Sequence, residues 1–356
     1  MKGYQFEDTQ GTFHLKKAEN ISYLYFPIAG EAGLKSSFTP NLGGDAKIDQ
    51  NTFLLEPVSA ENLVNNRNSR NFWCNVKGIG SWSLTGHSAE ELSKKFTEMQ
   101  DDSEVTAGFM WQKTTRESKK YQLRGEILSF IPVDKNVEIM LVTITNTGRM
   151  AQTVTPTAAI PLYGRSADNI RDHRHVTSLL HRIETTDTGV LVTPTLSFDE
   201  RGHQVNHMTY YCVGWSGNGE KPVDFYPTAE DFVGEGGNFE RPYAIVKNAE
   251  GVKAGTKIEG LEAVGGLHFS EITLEPEEEC SYLIFTGITE DIQEIRNLSK
   301  TYTTREKVLE ELEKTMDPAK YTGRASVQVD AFLKNVINPM LEENKDLLGM
   351  TAEINV

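Results

Sequence analysis

The sequence is poor in cysteine, in positive charge and in long apolar runs. Its 356 residues include three cysteines, Cys74, Cys212 and Cys280. They are far apart, odd in number and without CxxC spacing, so neither a disulfide framework nor a zinc site is indicated, and the three read as ordinary thiols. A formal net charge of −15 argues against nucleic acid as a partner, because a polyanion needs a broad basic face that releases its counterions. No stretch approaches the roughly 18 apolar residues of a membrane span, and MKGYQFEDTQGTFHL at the N-terminus lacks the apolar core of a secretion signal. A cytoplasmic protein without a membrane partner is expected. The G-x-S-x-G elbow, the Walker loop, the dinucleotide-binding glycine fingerprint and HExxH are all missing, which sets aside the enzyme classes built on them.

What is present is a loop-rich globular composition, 38% hydrophobic and 24% charged with 29 glycines, enough to bury a substantial core. Up to about residue 290 the chain consists of short β-branched and aromatic runs bounded by Gly, Asn, Asp and Pro, such as NFWCNV (71–76), EVTAGFMWQKT (104–114), YQLRGEILSFIP (121–132), GVLVTPTLSF (189–198) and CSYLIFTGI (280–288). Many such strands at this spacing predict a mainly β fold, a large antiparallel β-sandwich rather than βαβ units. VEIMLVTITNT (137–147) and QTVTPTAAIPLY (152–163), joined at Asn146, Thr147 and Gly148, read as a hairpin. SAEELSKKFTEM (88–99) reads as a helix with Leu92, Phe96 and Met99 on one face.

After residue 290 the period changes to 3.6. TTREKVLEELEKTM carries an apolar stripe of Val308, Leu309, Leu312 and Met316, and VQVDAFLKNVINPMLEEN predicts a further helix interrupted by Pro339. The expected division is a β-sandwich over 1–290 and a helical linker over 291–356.

One segment stands out chemically. YGRSADNIRDHRHVTSLLHR (163–182) holds four arginines, three histidines and two aspartates directly after a strand. Guanidinium and imidazole groups fix donors and charge in place, so such a loop suits a polyhydroxylated or anionic ligand. His173 and His175 with His181, His203 and His207 suggest a metal only if strand alternation aims the first two together, and no cysteine joins them; polar contacts are the expected role, and no metal ligand is assigned. In 41–57 and 65–78, dense Asn, Gly and Arg beside Phe72 and Trp73 fit either a carbohydrate platform or tight turns around core aromatics. Among 51 acidic residues nothing marks a catalytic carboxylate pair.

The runs TPNLGGDAKIDQNTFLLEPVSAENLVNNRNSRNFW (39–73), YGRSADNIRDHRHVTSLLHRI (163–183) and FYPTAEDFVGEGGNF (225–239) resemble the N-terminal part of glycoside hydrolase family 94, the cellobiose and cellodextrin phosphorylase group. The resemblance implies a galactose mutarotase-like super-sandwich, then linker helices, then a catalytic (α/α)6 barrel that this sequence does not match. It implies cleavage of a β-glucosidic bond by inorganic phosphate with inversion to α-glucose 1-phosphate, without metal or organic cofactor. It also implies a β-linked gluco-oligosaccharide as ligand and a homodimer of the complete enzyme. The family's catalytic aspartate and phosphate site belong to the barrel, so no catalytic residue is expected here and the isolated chain is expected to be inactive.

In the family a sandwich loop supplies side chains to the acceptor sugar. By that resemblance Arg171 or Arg174 is the expected arginine, with Asn169, Asp172 and His173 as further hydroxyl partners, and Arg67, Arg70 and Trp73 as weaker candidates. The alternatives are a stand-alone carbohydrate-binding or assembly module and, less favoured, a self-sufficient hydrolase.

Overall fold

The strand Val137–Asn146 is apolar on both faces because it lies inside a stack of layers. The computed structural model describes residues 4–21, 24–59, 62, 65–170, 174–199, 202–321 and 325–347. Its larger sheet has 11 antiparallel strands, in the order Tyr4–Phe6, Phe13–Lys16, Asp102–Gly108, Trp111–Ser118, Leu123–Phe130, Val137–Asn146, Glu279–Thr289, Thr209–Ser216, Gly189–Val192, Arg182–Thr185 and Lys257–Glu259. The second sheet runs Asp224–Thr228, Ala263–His268, Gln152–Leu162, Asn71–Val76 and Gly80–Ser83, with Ile272–Leu274 also paired to Gln152–Leu162. A four-stranded sheet spans Phe26–Ala29 to Thr52–Leu55, and Leu196–Asp199 pairs with Gly202–Val205 as a hairpin.

Period-2 alternation assigns each face. Met140, Val142 and Ile144 point into the core between the two large sheets, where they meet Val154, Ala158, Ile160 and Leu162. Val137, Ile139 and Leu141 point the other way, with Leu283, Phe285 and Trp215, into a second cluster closed by Ile295, Leu298, Val308 and Leu312. Those four belong to helices Ile292–Thr301 and Arg305–Thr315, whose single apolar stripes would otherwise have no partner. The Trp215 indole donates to the Tyr302 carbonyl at 3.0 Å and pins the junction between these helices. Short helices Ala229–Val233 and Tyr243–Lys247 cover the outer face of the smaller sheet through Phe232, Ala244 and Ile245, which pack on Trp73, Tyr226 and Val264.

The mainly β sandwich with helices after it is thus the observed fold. Three local expectations need correction. Val137–Asn146 and Gln152–Leu162 do not pair: the first lies between Leu123–Phe130 and Glu279–Thr289, and the second joins the other sheet. The turn after Asn146 is a crossing between layers, since each strand finds a longer apolar match elsewhere. The run 104–114 is itself a hairpin, Asp102–Gly108 against Trp111–Ser118.

The third correction is the helix at 88–99, which stops at Ser93. Glu91 turns its carboxylate to the Asp101 amide at 2.7 Å, and the Gln100 side chain accepts from the Phe96 amide at 3.1 Å. These local bonds return the chain towards the Asp102 strand and leave Phe96 80% exposed. Further on, Pro339 does not end its helix. The backbone stays helical through it, and the π-helical stretch Leu333–Ile337 immediately before it widens the turn in which a proline lacks its N–H and would otherwise clash.

The strands end at Thr289, and the compact unit runs to Met316; residues 317–356 form a separate unit, helical where described. Among the described residues no helix is long and apolar enough to cross a membrane.

Candidate functional site at one end of the smaller sheet

Strand register brings the distinctive sequence blocks together. Leu162 lies opposite Ala263, Ala159 opposite Asn71, and Thr228 opposite Ala263. The connections 163–182, 56–70, 229–242 and 260–262 therefore leave or enter the sheet at the same end. Asn66 ties two of them: its side-chain amide donates to the Phe239 carbonyl at 2.8 Å and the His87 carbonyl at 2.6 Å.

The loop 163–182 has a rigid root. The Tyr163 amide donates to the Leu54 carbonyl at 2.8 Å, and the Phe53 amide to the Arg165 carbonyl at 2.9 Å. The Arg165 side chain, 3% exposed, ion-pairs with Glu262 at 2.5 Å. Its Nη1 donates to the Thr177 hydroxyl and its Nε to Nε2 of His181, both at 3.3 Å, and its guanidinium lies 4.8 Å from the Tyr163 ring centroid. One side chain thus grips both legs of the loop and the turn before Ala263.

Burial, then the Arg165 charge, pushes the His181 pKa down to about 3. The ring is neutral, so the Nε2 that accepts from Arg165 leaves the proton on Nδ1, which donates to the Leu261 carbonyl at 3.2 Å.

Beside this root a small cleft is lined by Glu56, Arg67, Leu162, Tyr163, Phe239 and Glu262 among others. Carboxylates, an exposed guanidinium and aromatic rings are residue types that line carbohydrate sites, but the space of about 40 Å³ holds a few waters and no sugar ring, and Glu56 and Glu262 already accept from Asn62 and Arg165. The exposed Arg67 guanidinium at the rim of the cleft is the polar group there that faces solvent.

The expected site residues fare unequally. Arg171, Asp172 and His173 lie outside the described residues. Arg174 opens the one-turn helix Arg174–Thr177, and its side chain lies outside the description. Asn169 is 7% exposed and donates to the Phe198 carbonyl at 3.3 Å, beside Ser166, whose hydroxyl donates to the same oxygen at 2.5 Å. Its described role is to tie the loop to the Leu196–Val205 hairpin.

Arg70 is fully buried. It binds Glu138 through Nε at 2.5 Å and Nη2 at 3.0 Å and donates to the Gly44 carbonyl at 2.9 Å. Trp73 is buried in the outer cluster. Both are structural. Of the three weaker candidates, Arg67 reaches the cleft. Among the described residues no group of three or more His, Cys, Asp or Glu side chains could hold a metal ion.

Sequence reasoning missed Arg165 and Glu262. Arg165 looks like its three neighbours in the charged run, and Glu262 sits 97 positions away. The one available signal was position, since Arg165 comes two residues after Tyr163, at the strand end.

A family model described as glycosyl hydrolase 94, supersandwich domain, matches residues 55–305, well over half of the chain. The chain belongs to this family. No curated protein matches it. Among solved structures, a bacterial glucoamylase complexed with acarbose is 9% identical with a TM-score of 0.45, covering 87% of this chain and 37% of its own. A putative aldose 1-epimerase from Escherichia coli K12 is 10% identical with a TM-score of 0.39, covering 75% of this chain and 99% of its own. The chain therefore spans little over a third of the glucoamylase.

Proposed function

We propose that this chain is the N-terminal, substrate-shaping domain of an inverting β-glucan phosphorylase, with residues 291–356 leading to a helical barrel that carries the chemistry. In that reaction phosphate attacks the anomeric carbon of a β-glucoside, the glucosidic C–O bond breaks, and an acid on the barrel protonates the leaving oxygen, giving α-glucose 1-phosphate. The sandwich contributes acceptor-sugar contacts from the 163–182 loop, through Arg171 or Arg174 with Asp172 and His173, and helps form a homodimer. The carrying observation is the convergence of that loop, Arg67, Glu56 and Glu262 at one sheet end in a chain of the glycosyl hydrolase 94 supersandwich family.

Isothermal calorimetry with β-linked gluco-oligosaccharides tests the contact. Arg171→Ala or Arg174→Ala is expected to weaken binding roughly tenfold, the loss of a charge-assisted hydrogen bond. Unchanged binding in both variants counts against the loop. The purified chain supplied with oligosaccharide and phosphate is expected to release no glucose 1-phosphate, and release would overturn the assignment of chemistry to a separate barrel.

A further inference from the structure

A second polar cluster, built from different segments and independent of the reading above, surrounds Arg116. This side chain is 1% exposed, and its Nη2 donates to the Asn41 side-chain oxygen and the Thr85 carbonyl, both at 3.2 Å. Gly86, at φ 78°, makes the space: a Cβ there would stand 2.5 Å from the guanidinium carbon.

The remaining donors of Arg116 find no protein acceptor among the described residues. Nη1 lies 3.9 Å from the nearer Glu91 oxygen, beyond hydrogen-bond range. Arg116 Nε and Nη1, His87 Nδ1 and Glu19 Oε2 are buried atoms without a hydrogen-bond partner among the described residues. Arg116, His87 and Glu19 line one cavity of about 20 Å³, together with Asn41, Glu91 and Lys95. Leaving cationic N–H groups unpaired in a buried site is strongly unfavourable, so the cavity needs an occupant.

Size and charge select it. One water needs roughly 10–15 Å³ of such space, so one or two fit and a phosphate or a sugar ring does not. Arg116 and Lys95 face Glu19 and Glu91, with Asp101 also near, so no net positive field invites an anion. Burial, then Arg116 and Lys95, lowers the His87 pKa to about 4 and keeps the ring neutral, leaving Nδ1 free to accept or donate.

We propose that this cavity is a built hydration site in which one or two waters accept from Arg116, donate to Glu19 and complete the set at His87 Nδ1. The waters fasten the Ala18–Asn20 turn to the Trp111–Ser118 strand, a link that Asn41 makes only weakly through its 3.5 Å bond to the Glu19 carbonyl.

A high-resolution crystal structure of the chain, with a bromide-soaked crystal measured for anomalous signal, tests the site directly. Density for water within hydrogen-bond range of both Arg116 and Glu19, without bromide, is expected. A dry cavity or a bromide peak would overturn the proposal. Hydrogen exchange at the Ile21 amide, which donates to the Ala18 carbonyl, supplies a second reading. Glu19→Leu is expected to speed exchange roughly tenfold while Glu19→Gln, which keeps an acceptor, changes it less than about twofold. Equal effects of the two substitutions would also overturn it.

Discussion

Arg165 and His181, 16 residues apart, meet through an Nε-to-Nε2 hydrogen bond of 3.3 Å and so close the base of the charged loop. The bond depends on a neutral imidazole, since a protonated ring would present a donor to a donor. It links the strand end at Leu162 to the strand start at Arg182, and it fixes where the loop departs from the sheet.

Arg165→Ala should destabilise the fold by about 3 kcal/mol, because it removes the donor that His181 and Thr177 share and a buried ion pair to Glu262. Arg165→Lys should recover only part of the loss, since one ammonium cannot serve three separated acceptors as a planar fork does. Urea unfolding of the three proteins measures this.

Acid should weaken the fold through two histidines. His87 and His181 have pKa values lowered to about 4 and about 3, below the 6.5 expected of an unfolded chain. Between those values and 6.5 the unfolded state binds protons that the native state refuses. Their contribution is therefore complete above pH 6.5 and falls by about 1.4 kcal/mol per pH unit for each histidine as the pH drops. Urea midpoints from pH 7 to pH 4.5 should follow this slope, and His87→Gln and His181→Gln should each flatten it.

The first two helices after the last strand, Ile292–Thr301 and Arg305–Thr315, belong to the compact unit. A chain ending at Glu290 would expose Leu283, Phe285 and Trp215, and should aggregate; one ending at Met316 should stay monodisperse in size-exclusion chromatography. Leu298→Ala in the longer chain should cost about 3 kcal/mol through the cavity it leaves.

Arg70 and Glu138 form a pair with neither side chain more than 1% exposed. Glu138→Leu alone should cost about 4 kcal/mol by stranding a buried guanidinium, and Arg70→Met added to it should restore much of that. A double-mutant cycle in urea reads the coupling.

The strands were legible where an apolar run is bounded by turn residues, and Val137–Asn146 is the clearest case. Its partner was not legible. Asn146, Thr147 and Gly148 mark a turn, and a turn fits a hairpin and a crossing between sheets equally well; what decides is the match with Cys280–Gly287, far along the chain. The helix at 88–99 failed for the opposite reason. Its periodicity was real, but short-range side-chain bonds from Glu91 and Gln100 outweighed a stripe that had nothing to pack on.

The site divides in the same way. The sequence marked the charged run after Leu162, and the three blocks quoted for the resemblance include most of the residues that line the cleft. It did not separate the arginines, because Arg165, Arg171, Arg174 and Arg182 carry the same charge and differ only in what the fold brings beside them. Glu262 and His181 make Arg165 a structural clamp, just as Glu138 turns Arg70 from a ligand candidate into a core residue.

By itself the sequence determined the composition of the layers, through alternating and continuous apolar runs, and the family, through blocks of residues that survive as local patterns. Only the tertiary structure decided which strands pair, which polar groups are buried together and which charges remain for a ligand. Those outcomes depend on contacts between residues distant in the chain, whose energies appear only when both partners have left water.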